Sequence, residues 1–153
     1  MHGVPCFRVV GRRGSMLSVV WERMTEAQIL IAFSESLRQT SLDAVDFVAD
    51  IDRSATPPRY RFWIELRPDK SIPGSLALTL DGCLRRASPA YGTLRDSREI
   101  GFPEVQCLAT HTFANMIRRR ERNGAYREQL KVQHVSADAR SVLAADGRWD
   151  LDA

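Results

Sequence analysis

Hydrophobic and polar positions alternate with different periods along the chain, and each change of period marks an element. Phe7–Val10 and Met16–Val20 are short β-prone runs on either side of Gly11-Arg-Arg-Gly14-Ser15, which predicts an N-terminal hairpin turned by glycines. Thr25-Glu-Ala-Gln28 has the form of a capping box, with Met24 and Ile29 placed as a hydrophobic staple, so a helix is expected to begin there. Ala27, Leu30, Phe33 and Leu37 then recur at helical spacing. From Val45 the period becomes two. Val45, Phe47, Ala49 and Ile51 fall on one face and Asp46, Asp50 and Asp52 on the other, which reads as a strand with one solvated side.

After a turn at Arg53–Pro58, Tyr60, Phe62, Ile64 and Leu66 alternate with Arg59, Arg61, Trp63 and Glu65, predicting a second strand antiparallel to the first. Tyr60, Phe62, Trp63 and Leu66 are read as core or sheet residues. Pro73-Gly-Ser75 opens a helix with Leu76, Leu80, Cys83, Leu84 and Ala87 on one stripe, ended by Ser88-Pro89. A short segment, Tyr91–Arg98, leads to a strand at Val105–Leu108. A helix at Thr112–Asn123 turns Phe113, Met116 and Ile117 inward and stops at Gly124, and a last strand spans Leu130–Val135. This order predicts an α+β fold, an N-terminal β-hairpin followed by a mixed, largely antiparallel sheet flanked by about three to four helices. Residues 1–135 form the expected domain, and 136–153 a loosely docked tail.

Length and composition agree with one globular domain: 153 residues, 44% hydrophobic and 27% charged. No apolar run approaches the roughly 20 residues that a membrane-crossing helix needs, and the first residues lack the pattern of a signal peptide. A cytoplasmic protein is expected. Cys6, Cys83 and Cys107 are widely spaced, without a Cys-x-x-Cys pair, and are expected to be free, mostly buried thiols. Neither they nor His2, His111 and His134 have metal-ligand spacing. The net charge of +3 rests almost entirely on arginine, with lysine only at positions 70 and 131.

No phosphate-cradling glycine loop, nucleophile elbow or spaced triad is present, so an independent ATP site and self-sufficient catalysis are not expected. The acidic set Asp43, Asp46, Asp50 and Asp52 fits a solvated strand face better than a cation site. Arg118-Arg-Arg-Glu-Arg122, with Arg59, Arg61 and Trp63, is the pattern a nucleic-acid surface would use. A basic last turn also complements the negative end of a helix, which is the preferred explanation.

Several local patterns, in order, resemble the C-terminal part of the auxin-responsive Gretchen-Hagen family of acyl acid amido synthetases. Phe7-Arg-Val-Val-Gly-Arg12, Leu17-Ser-Val19 and Glu22-Arg-Met-Thr-Glu26 are similar to the passage from that family's large domain into its small one. Pro57-Pro-Arg-Tyr-Arg-Phe-Trp-Ile-Glu-Leu66 resembles its strand ending in Trp-Glu-Leu. Leu80-Asp81, Tyr91, Arg95, Ile100-Gly-Phe-Pro-Glu104, Thr112-Phe113, Gly124 and Gln129-Leu-Lys131-Val132 fit later landmarks, so the likeness covers residues 7 to 135.

The resemblance implies an adenylate-forming ligase in which a large domain holds ATP and the acid, while the small domain closes as a lid and offers a cation to phosphate. On this basis Arg23 stands where the family has its phosphate-facing lysine, and Lys131 is a second candidate for contact with the active site. Both depart from the pattern. Arg23 presents a planar fork instead of a compact ammonium, and Lys131 is followed by Gln133 and His134 where the family has Pro-Arg. ATP and Mg are implied for the complete enzyme, and no cofactor for these residues alone. The expected partner is a large adenylating domain on a separate chain, with no membrane and no nucleic acid. The alternatives are a non-catalytic remnant or binding module of the same fold, and a nucleic-acid-binding domain resting on Arg118–Arg122.

Overall fold

The computed structural model describes residues 16–125 and 131–144. A two-stranded antiparallel hairpin, β1 (Met16–Leu17) and β2 (Met24–Thr25), precedes α1 (Glu26–Thr40). β3 (Ala44–Asp52) and β4 (Arg59–Leu66) follow, then α2 (Leu76–Ala87), α3 (Pro89–Asp96), β5 (Glu104–Leu108), α4 (Thr112–Arg122) and α5 (Ala139–Ala144). The main sheet has the order β3-β4-β5, with β4 antiparallel to β3 and parallel to β5. The fold is α+β with a mixed sheet. Among the described residues no helix is long and apolar enough to cross a membrane.

The hairpin differs from its expected form: Met16–Leu17 pairs forward with Met24–Thr25, and Phe7–Val10 lies outside the described residues. The capping box at the start of α1 is complete. The Thr25 N–H donates to Gln28 Oε1 at 2.9 Å, and the Gln28 N–H to Thr25 Oγ1 at 3.3 Å. The helix's buried residues are Ile29, Ala32, Phe33 and Ser36, while Ala27 is exposed. The expected stripe is therefore turned, because the staple at Met24–Ile29 and the ring stack of Phe33 on Phe47, at 3.8 Å, set the rotation of the helix.

The sheet is covered on both sides. Phe47, Ala49, Tyr60, Phe62 and Ile64 pack with Ile29, Phe33, Leu76, Leu80, Leu84, Tyr91 and Leu94 of the helices on one face. On the other, Val48, Trp63 and Leu108 meet Phe113 and Met116 of α4 and Ala139 and Leu143 of α5. The face read as solvated is thus largely enclosed, and Asp50 and Asp52 are buried. They stand directly across β4 from Arg61 and Arg59. Arg61 Nη2 lies 2.8 Å from Asp50 Oδ2, and Arg59 Nη2 3.3 Å from Asp52 Oδ2 and 3.0 Å from Glu104 Oε2. Cross-strand arginines pair with both carboxylates, and the Ser54 hydroxyl and N–H also donate to Asp52 Oδ1, at 2.6 Å and 3.1 Å.

Two further elements depart from the sequence pattern. Residues read as a short segment form helix α3, which Pro89 starts and Ser88 caps, the Tyr91 N–H donating to Ser88 Oγ at 3.2 Å. Of the expected last strand at Leu130–Val135, Leu130 lies outside the described residues, and the described part makes one parallel bridge, Val135 to Ala49. There the Ala49 N–H donates to His134 O at 2.8 Å and the Ser136 N–H to Ala49 O at 3.0 Å. Of the cysteines, Cys83 is buried and Cys107 exposed on the edge strand β5, while Cys6 lies outside the described residues.

Candidate functional site

The loop between β1 and β2 is organised around one buried acid. The Glu22 carboxylate accepts from the N–H groups of Val19 at 2.6 Å, Val20 at 3.1 Å and Trp21 at 3.1 Å, and from the Tyr60 hydroxyl at 2.5 Å. Ser18 Oγ adds a longer donation at 3.4 Å. Burial alone would raise the Glu22 pKa, but the Tyr60 hydroxyl and the backbone donors outweigh it and hold the carboxyl below its ordinary range. Burial first, and then the Glu22 carboxylate that accepts its hydrogen bond, push the Tyr60 phenol far above its usual range. Arg53 Nη2 donates to Ser18 O at 3.1 Å, tying the end of β3 to the loop.

This frame places Arg23. Its φ is +45°, in the left-handed region, its N–H donates to Ser18 Oγ at 3.4 Å, and its side chain is exposed immediately before helix α1. Beside it Val20 and Trp21 are also exposed. The result is a cationic, apolar loop tip held from beneath by a carboxylate. The sequence singled out Arg23; it did not single out Glu22 or Tyr60, whose roles depend on contact across 38 residues. In the sequence Glu22 stands only as the acid before Arg23 in a motif of the resemblance, and Tyr60 as an inward position of its strand.

Lys131 is exposed, and its carbonyl accepts from Arg120 Nη1 at 3.2 Å. It lies on a segment docked to the outer edge of β3 and shares no hydrogen bond or ion pair with Arg23 among the described residues. His134, three positions on, is committed elsewhere: Nε2 lies 2.9 Å from Asp46 Oδ1, and Nδ1 3.6 Å from Glu26 Oε1. Tyr60, Phe62, Trp63 and Leu66 are all buried sheet residues.

A second polar centre joins α2 to α3. Asp81 accepts from Tyr91 Oη at 2.8 Å, Arg95 Nε at 2.8 Å and Arg85 Nε at 3.0 Å. Burial opposes ionisation there, and the Arg95, Tyr91 and Arg85 donors overcome it, so the acid stays below its ordinary range. Arg95 Nη1 also donates to Ile100 O at 2.9 Å, and its guanidinium covers the Phe102 ring at 5.4 Å. Leu80-Asp81, Tyr91, Arg95 and Ile100-Gly-Phe102 are thereby one structural unit that shapes the approach to β5. Among the described residues no group of three or more His, Cys, Asp or Glu could hold a metal ion.

Comparison with known proteins matches this architecture to one family. The GH3 family C-terminal domain matches residues 26–140. The chain is 29% identical over 121 residues to the jasmonoyl-L-amino acid synthetase GH3.5 of Oryza sativa subsp. japonica, covering 76% of this chain and 20% of that protein. Among solved structures, the GH3.15 acyl acid amido synthetase superposes with a TM-score of 0.73 at 19% identity, over 90% of this chain and 26% of that one. AtGH3.15 acyl acid amido synthetase in complex with 2,4-DB gives a TM-score of 0.67 at 21% identity, with the same coverage. The chain therefore spans between a fifth and about a quarter of the relatives it matches. Fold and family profile agree: this chain belongs to the GH3 family, matching its C-terminal domain.

Proposed function

We propose that the chain acts as the small lid domain of an ATP-dependent acyl acid amido synthetase, closing on a large adenylating domain carried by a separate polypeptide. Reaction there runs through an acyl adenylate to an amide with an amino acid. The observation that carries this reading is the exposed Arg23 guanidinium, held at a left-handed backbone position on a loop fixed by Glu22, three residues before the stretch that matches the GH3 family C-terminal domain. A cation on a rigid loop supplies charge to a phosphate without reorganising during the reaction, the main requirement for stabilising charge at phosphorus. ATP and Mg belong to the complete enzyme. Arg23 is the cation this domain would offer to the phosphate, and Lys131 is a secondary contact brought in by closure.

The test mixes this chain with a separately made large domain of a GH3 synthetase, ATP, Mg, a carboxylic acid and an amino acid. Amide formation that requires this chain, and falls by about 100-fold in Arg23→Ala with partial retention in Arg23→Lys, supports the reading. An unchanged rate on adding the chain refutes it. The second reading, a non-catalytic module of the same fold, draws on His134, which is engaged by Asp46 and Glu26 at the position where the resemblance implies arginine. It expects binding to the large domain without any effect on turnover.

A further inference from the structure

His134 touches three parts of the domain: the 131–136 segment that carries it, strand β3 and the first residue of α1. Its Nε2 faces Asp46 Oδ1 at 2.9 Å and its Nδ1 faces Glu26 Oε1 at 3.6 Å. Its backbone N–H donates to the same Glu26 oxygen at 3.2 Å. Its ring rests against Phe47 with centroids 5.0 Å apart. The segment is otherwise held by the Ala49 N–H to His134 O, the Ser136 N–H to Ala49 O, the buried side chain of Val135, Val132 packed against the layer that holds Val48, and Arg120 Nη1 donating to Lys131 O.

Both ring nitrogens confront carboxylates. A neutral imidazole has one N–H and one lone pair, so in either tautomer one nitrogen would point a lone pair at an anion. Only the imidazolium presents hydrogen to both. Asp46 from β3 and Glu26 from α1 are the charged groups that face the ring, and both favour the same protonation state; the neighbouring Phe47 ring adds a face that also prefers a cation. We propose that His134, clamped between Asp46 and Glu26, is a proton-controlled clasp that holds the 131–136 segment, with Lys131 on it, against the edge of β3. Protonated, the clasp is closed. Deprotonated, it keeps one N–H contact and turns a lone pair toward the other carboxylate, and the hold of the segment on the edge weakens.

The direction follows from linkage. The two carboxylates raise the His134 pKa in the closed state despite partial burial. A group with a raised folded-state pKa contributes its stabilisation fully below its value in the open segment, and loses it as pH rises through the closed-state value. Closure is therefore favoured on the acid side of neutrality and weakens toward alkaline pH. Because the device concerns attachment of a segment within this chain, it is independent of whether the domain serves a synthetase.

NMR on the full chain tests it. The His134 ring is assigned by its loss in His134→Gln, and amide exchange of Ala49 and Ser136 is followed across the titration, with Phe62 in the centre of β4 as the internal reference. The expected result is a His134 titration above the ordinary value of 6.5. Protection of Ala49 and Ser136 should fall relative to Phe62 as that titration completes. The fold-loss should equal ten raised to the difference between the closed and open pKa values. In Asp46→Asn, which keeps hydrogen-bonding atoms and removes the charge, the titration and the loss of protection should move together to lower pH. The proposal is overturned if His134 titrates at or below 6.5, if the two amides keep a constant protection ratio to Phe62, or if His134→Gln retains the same pH dependence.

Discussion

At the scale of single residues, Glu22 carries the most consequence for its size. Four N–H or O–H donors within 3.1 Å converge on it from its own loop and from Tyr60. Hydrogen bonds to an ionised acceptor are about twice as strong as neutral ones, and a buried donor left without its partner is costly. Glu22→Gln should therefore destabilise the domain by about 2 kcal/mol in chemical denaturation, and Tyr60→Phe by about 1 kcal/mol. Since the Glu22 pKa is lowered by folding, its contribution is present above the ordinary value of 4.5 and disappears as pH falls through the folded value. The variant's deficit should accordingly shrink below pH 4.5, and a deficit unchanged at acid pH would show that its charge plays no part. Arg23 could be picked out from the order of residues around it. Glu22 and Tyr60 could not, because a carboxylate in a loop is ordinarily a solvated one.

At the scale of elements, helix ends make the most specific demands. Ser88 both ends α2 and caps α3, so Ser88→Ala should cost about 1 kcal/mol and fray α3 first, visible as faster exchange of the Tyr91 amide. The start of α4 has no capping side chain of its own, and His111 there adopts a left-handed conformation. Its cap comes from β4: Glu65, buried, accepts from the N–H of His111 at 2.7 Å and of Phe113 at 2.8 Å. That partnership spans 46 and 48 residues, which is why Glu65 reads in the sequence as a polar strand position and nothing more. Gly101 has a similar hidden purpose. Its N–H donates to Pro58 O at 2.8 Å, and an added Cβ would meet Pro57 O at 2.9 Å. Gly101→Ala should cost about 1–3 kcal/mol, with the loss concentrated in β5 pairing. Wild-type stability in that variant would show that the close approach yields freely.

At the scale of the whole molecule, the sheet separates two hydrophobic layers of unequal size, the larger under α1, α2 and α3 and the smaller under α4 and α5. The smaller layer reaches Ala139 and Leu143, both buried. Leu143→Ala should lower the unfolding free energy by about 2–3 kcal/mol. A change below about 0.5 kcal/mol in the same denaturation measurement would place α5 outside the cooperative core.

The order and type of the main elements, the capping box of α1, the inward row of β4 and that of β3 from Phe47 onward were legible in the chain, because each rests on residues close in sequence whose spacing repeats an element's own geometry. Val45, expected inward, is exposed beside the register shift at Ala44 and Asp46, and the family was legible as a resemblance of ordered local motifs. What the second face of the sheet would meet was not. Asp50 and Asp52 carry the same alternation whether water or Arg59 and Arg61 lies across from them, and only the antiparallel register sets those arginines opposite. Likewise the caps supplied by Glu65, the frame that Glu22 and Tyr60 build under Arg23, and the seat of His134 between Asp46 and Glu26 join residues 38 to 108 positions apart. Local spacing determines which way a side chain leaves its own strand or helix. Which groups it then finds there is decided by tertiary packing, since a buried charge must be paired, and for Asp50 and Glu65 the partner comes from another element or loop.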